Sequence, residues 1–240
     1  MIDINTRLSQ NSVQNSGTVK NRTEKATSEV AGSNQQASSG IRISSLAQEL
    51  NAAQARADAR DSSLDRDALS AKASDIRSQF YGSAYQQNKD KYDAEVPNTN
   101  DPAHLDRAKQ ATTYVNGSGS NPFKGLAPDQ LSLIIYDEGG TFTMNEKRAA
   151  LDEQWDQTQA WKREVVAEIN RQWDEKNGDI SDVLKDIMDY FDNLPPIEEA
   201  QYDSSWRQSL QNNIAHFSSG RSNSDNPGHT VIPALNKYEP

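Results

Sequence analysis

Three histidines, His104, His216 and His229, and no cysteine set the first limits on chemistry in this chain of 240 residues. Without cysteine there is no disulfide, no thiolate metal site and no cysteine nucleophile. The histidines lack the His-x-x-x-His type of spacing that sets two imidazoles on one helix face for a metal. His104 falls one turn into a polar helix start, His216 beside an apolar stripe and His229 in a polar tail. Each reads as a surface or satisfied side chain rather than a general base. No Gly-x-Ser-x-Gly elbow, phosphate loop or dinucleotide fingerprint occurs. Neighbouring carboxylates abound, at Asp137/Glu138, Asp152/Glu153, Asp174/Glu175 and Glu198/Glu199. With 35 Asp and Glu in the chain, such pairs are expected by chance. No glycosidase-type pair can be picked from them, and no catalytic residue is assigned.

The elements that would have to position any such group follow from composition and periodicity. Only 34% of the residues are hydrophobic. That supports one modest core with long unstructured ends, because polar segments bury too little apolar surface to offset the entropy of ordering. The formal charge is -10. Between Asn121 and Leu210 there are 19 acidic and 9 basic residues, so the whole excess lies there. Such a surface repels a phosphate backbone, and nucleic-acid binding is not expected. It suits solubility, a basic partner or a cation. No apolar run approaches the roughly 18–20 residues of a membrane span. The first residues lack the apolar stretch of a signal peptide. The expected location is cytoplasmic, or outside the cell by a route that needs no cleaved signal.

Residues 1–43 are rich in Ser, Asn, Gln and Thr without a period, which predicts a disordered arm. Residues 44–115 form a helical segment. Ser45-Leu46-Ala47-Gln48 is a capping box for a helix to near Arg60, and Ser63 caps a second helix, giving a hairpin. In the second helix Leu69, Ala73, Ile76 and Phe80 share a face. Phe80, Tyr81, Tyr85 and Tyr92 read as core or interface packing. Asp101-Pro102 starts another helix. Residues 116–122 are a Gly/Ser/Asn linker, and residues 123–217 an acidic helical domain. Residues 218–240 form a polar tail, expected to be disordered, with one apolar run, Val231 to Leu235, of the kind that docks as a peptide.

Within the acidic domain, Pro128 opens a short helix that Asp137-Glu138-Gly139-Gly140 stops. Thr143-Met144-Asn145-Glu146 is a capping box that launches a long helical pattern. Its apolar spacing breaks between Trp155 and Trp161, which predicts a bend or a change of face near Gln157–Ala160. Asn177-Gly178 ends it. A further helix carries Val183 to Phe191 and stops at Pro195-Pro196. Trp206, Leu210, Ile214 and Phe217 mark the last one.

The two loops share a pattern: Gly140-Thr141-Phe142-Thr143 and Gly178-Asp179-Ile180-Ser181. Each resembles the second half of an EF-hand loop, with Gly at position 6, an apolar residue at 8 and an oxygen at 9. The resemblance covers roughly Pro128 to Asn193. It implies that Phe142 and Ile180 pair in a small two-stranded piece. It further implies that Asp137, Thr143 and Glu146 are the metal ligands the first loop retains, for calcium. Ile135 and Trp173 stand at position 1 and Leu184 at position 12 of the second loop, so both hands depart from the ligand pattern. The start Met1-Ile2-Asp3, the polar arm and Ser44-Ser45-Leu46-Ala47-Gln48-Glu49-Leu50 resemble the N-terminal half of flagellar anti-sigma factors. That implies an arm of the kind type III export machines accept.

The expected fold is all-α. It is a small helical domain of two helix–loop–helix units with a tiny two-stranded β piece, plus an N-terminal helical hairpin and disordered ends. The expected function is a non-enzymatic module that binds a protein partner. The alternatives are a calcium-responsive EF-hand-like protein and an enzyme with an unrecognised acidic site.

Overall fold

The computed structural model describes residues 44–219. The expected arm of residues 1–43 and the Val231–Leu235 patch lie outside the described residues. Nine α-helices make up the described chain. Helix α1 (Ser45–Ser63) starts one residue earlier than the Ser45 box implies, because Ser44 Oγ accepts the Ala47 N–H at 3.2 Å. Helix α2 (Arg66–Ser78) is capped by Asp65, not Ser63; its carboxylate accepts the Ala68 N–H at 2.9 Å. The tyrosine run continues as α3 (Gly82–Asp93), with Phe80 and Tyr85 fully buried. Asp101 caps α4 (Pro102–Val115), with Pro102 in the first turn as expected. Then come α5 (Pro128–Ile135), α6 (Met144–Glu175), α7 (Ser181–Asp192), α8 (Pro196–Glu199) and α9 (Trp206–Ser218).

Helix α6 organises the rest. Its 32 residues span about 48 Å at 1.5 Å per residue. Its N-terminal half supplies Ala149, Ala150 and Leu151 to a first core, shared with α1, α2, α4, α5 and Ile197 of α8. Its C-terminal half supplies Trp161, Val165 and Ile169 to a second core, shared with α7 and α9. The helix is continuous through Gln157–Ala160. The break in apolar spacing marks the place where its buried face passes from one core to the other. Both sides of residues 116–122 feed the first core, with Ala111 before and Phe123 after.

The expected two-stranded piece is not formed, and no strand occurs among the described residues. Phe142 is buried in the first core and Ile180 in the second. The full length of α6 stands between them, so the two loops lie at its opposite ends and cannot pair. A strand needs a partner ladder to satisfy its backbone, and neither loop has one.

The chain crosses between the cores more than once. After α7 it returns through Pro195 to α8, which packs on α2, and then passes to α9 in the second core. Arg66 of α2 binds the Glu199 carboxylate and the Glu199 and Tyr202 carbonyls. The other Glu199 oxygen accepts the Trp206 indole N–H at 2.9 Å. One carboxylate thus ties an arginine of the first core to a tryptophan of the second.

Candidate binding cleft

The three residues suggested as metal ligands take two separate roles. Thr143 and Glu146 meet as a complete capping box. Glu146 Oε2 accepts the Thr143 N–H at 2.9 Å and the Thr143 hydroxyl at 3.0 Å, while Thr143 Oγ1 accepts the Glu146 N–H at 3.2 Å. The second oxygen, Oε1, takes Arg107 Nε at 2.8 Å. Asp137 lies elsewhere in the loop, fully buried at its side chain, with Arg56 Nε at 2.7 Å. A Cβ at Gly139 would sit 2.3 Å from Arg56 Nε, so a larger residue there would push the arginine aside. Each carboxylate is neutralised by its own guanidinium, so the three do not form an oxygen cage. Among the described residues no cluster of three His, Asp or Glu is arranged to hold a metal ion.

Arg107 also binds Glu49, which takes His104 Nδ1 at 3.2 Å. His104 is therefore a buried histidine, and its Nε2 has no partner. Burial raises the Glu49 carboxyl above its ordinary range despite the arginine beside it. The charges of this cluster are met by its own side chains.

A cleft lies where the two cores meet. It is lined from α6 by Gln154, Trp155, Gln157, Thr158 and Trp161. Tyr190 of α7, Glu198 of α8, Tyr202, and Arg77 and Tyr81 at and after the end of α2 complete the lining. Its enclosed volume is about 60 Å³. At roughly 10–15 Å³ per water on this measure, that is room for four to six waters, or one large side chain. The Trp161 indole stacks on the Tyr190 ring, with centroids 3.9 Å apart and planes at 19°. Tyr81, at the mouth, is 40% exposed.

Two polar atoms of this wall lack hydrogen-bond partners: Trp161 Nε1, a donor, and Gln157 Oε1, an acceptor. They come one helical turn apart on α6. The Gln157 amide cannot be turned over to relieve this, because Nε2 already donates to the Leu126 carbonyl at 2.9 Å and to Glu153 at 2.7 Å. A buried polar atom without a partner costs about 1–3 kcal/mol, and both of these atoms are closed to water. The two charges of the cleft oppose each other. Burial pushes the Glu198 carboxyl up, and the Arg77 charge and the Gln154 and Ser132 hydrogen bonds hold it back. Tyr190 is pushed up to about 12 by burial and by the Glu198 charge.

Of these residues, Trp155 and Trp161 stood out in the sequence only as core. The spacing break at Gln157–Ala160 and the aromatic run containing Tyr81, read as core or interface packing, both fell on the cleft. Tyr81, Tyr190, Tyr202 and Glu198 come from three distant segments, and no local pattern joins them. Comparison with protein-family models, curated proteins and solved structures finds no match. The class the structure defines is a two-core helical protein threaded on one long helix, with an aromatic cleft at the junction. No helix among the described residues is long and apolar enough to cross a membrane.

Proposed function

We propose that this protein is a non-enzymatic binding module that recognises a protein partner through the cleft between its two cores. One observation carries this: a cleft at the junction of the two cores walled by Trp155, the stacked Trp161–Tyr190 pair and Tyr202, with Arg77, Gln154 and Glu198 among its polar groups. Binding pockets combine apolar walls with a few placed polar groups in this way. Aromatic-lined pockets at the centre of a contact are also where single anchor residues contribute most to association. The acidic outer surface suits a partner with a basic rim around such an anchor. Export by a route without a cleaved signal, suggested by the composition of the N-terminal arm, would place that partner outside the cell.

Selection of a random peptide library on the full-length chain tests the proposal. Enriched peptides should bind the native chain and weaken about tenfold or more against Trp155→Ala, as expected for loss of a pocket wall. A library that yields no binder, or binders indifferent to Trp155→Ala, overturns it.

A further inference from the structure

The apolar run Val231 to Leu235 lies outside the described residues, but the place where its segment leaves the fold is set by α9. Helix α9 begins beside the cleft. The Trp206 ring is 4.9 Å from Phe191, which is 4.6 Å from Tyr202 of the lining. It ends away from the cleft, with the Phe217 ring 6.4 Å from Trp173 in the last turn of α6. The way back along its 13 residues is about 20 Å at 1.5 Å per residue. Residues 220–230 span up to about 40 Å when extended, so the run reaches the cleft with length to spare. The N-terminal arm offers no equal run: its longest, Met1-Ile2 and Val30-Ala31, are two residues each. The chemistry also matches. Thr230 to Asn236 carries no charged side chain, so the run enters between Arg77 and Glu198 without burying an unpaired charge. Pro233 is at its centre, and aromatic-lined grooves take proline-containing extended segments because a fixed φ lowers the cost of ordering. The cleft presents the rings of Tyr81, Trp155, Trp161, Tyr190 and Tyr202, and its volume of about 60 Å³ fits one anchor such as Ile232 or Leu235.

We propose that the Val231–Leu235 run of the same chain occupies the cleft and must be displaced before a partner binds, which rests on the cleft being the recognition site. A segment on the same chain is presented at an effective concentration of about 1 mM. A weak contact, with a dissociation constant of about 0.1 mM, is then closed roughly nine-tenths of the time and weakens a competing partner about tenfold. The run thus sets a threshold of affinity that a partner segment has to exceed.

The chain has no cysteine, so Lys237→Cys gives the full-length protein a single site for a nitroxide label, two residues past the run. The label broadens nearby indole N–H signals in proton–nitrogen correlation spectra, and Trp155→Phe and Trp173→Phe identify two of them. Trp155 lines the cleft, whereas Trp173 lies beside Phe217, where the segment leaves the fold. With the run in the cleft, Trp155 should broaden more than Trp173. Adding Ile232→Asp and Leu235→Asp should reverse the order. These three positions lie outside both cores, so the fold is not at stake. A labelled chain mixed with an unlabelled, isotope-enriched one should leave the Trp155 signal sharp, because the contact is within one chain. Trp173 broadened as much as Trp155, an order indifferent to Ile232→Asp and Leu235→Asp, or broadening of Trp155 in the mixture, which would make the occupant a second copy, each overturns the proposal. Any of these leaves the peptide selection intact. A run seated in the cleft with no peptide selected keeps the contact and removes the partner.

Discussion

Glu198 is the residue at which the cleft and the stability of the fold meet. It is buried, it accepts Gln154 Nε2 at 2.8 Å, and burial raises its carboxyl above the ordinary range. The folded chain therefore holds that proton more tightly than the unfolded chain does. Stability from this group is greatest in acid and is lost as the pH rises from the unfolded carboxylate range through the folded value. Glu198→Gln keeps the shape and the acceptor and removes the charge. Its Tm should match that of the native chain in acid and exceed it near neutral pH by roughly 2–4 °C for each kcal/mol recovered. Melting both proteins across that pH range isolates the group, because Glu49 and Asp152, which burial also raises, titrate in both. Parallel melting curves would show that Glu198 stays charged in the fold. Nothing in the sequence distinguished Glu198 from the other acidic pairs. Its burial depends on Pro195 bringing α8 back onto the first core.

The elements were more legible than the residues that join them. Pro102, Pro128 and the Thr143–Glu146 box marked helix starts correctly, because caps satisfy backbone groups within a few residues and so are written locally. Ser45 and Ser63 were displaced to Ser44 and Asp65 by alternative side chains one or two positions away. The β piece failed for a non-local reason: the matching loops at Phe142 and Ile180 serve different cores. The Thr143 cap has a measurable consequence for α6. Thr143→Ala removes the hydroxyl that satisfies the Glu146 N–H and one of the donors to its carboxylate, at a site closed to water. The expected loss is about 1–2 kcal/mol, or a Tm lower by roughly 2–8 °C. Thr143→Ser, which keeps the oxygen, should recover most of it. If urea unfolding of Thr143→Ala overlays that of the native chain, the box does not hold the start of α6.

At the scale of the molecule, the arrangement of two cores on one helix raises the matter of whether they unfold together. The tryptophans offer a direct readout. Trp161 and Trp206 are buried in the second core and Trp173 packs against it, while Trp155 lines the cleft. Fluorescence therefore reports the second core and the junction, whereas far-ultraviolet circular dichroism reports the helices of both cores. Coupling between the cores runs through α6, through the return to α8, and through Glu199 held between Arg66 and Trp206. Glu199→Ala breaks the last of these. It removes an ion pair that is about one-third exposed and so contributes little by itself. It also leaves the buried Trp206 N–H without its acceptor, at a cost of about 1–3 kcal/mol that falls on the second core alone. In the native chain the two signals should change at one denaturant concentration, since several connections hold the cores together. In Glu199→Ala the fluorescence midpoint should move to lower denaturant and separate from the dichroism midpoint, because α6 can fray in its second half while the first core stays packed. Midpoints that fall together would mean that α6 and the return to α8 transmit the loss without Glu199, and that the cleft lies within one cooperative unit rather than at the boundary between two.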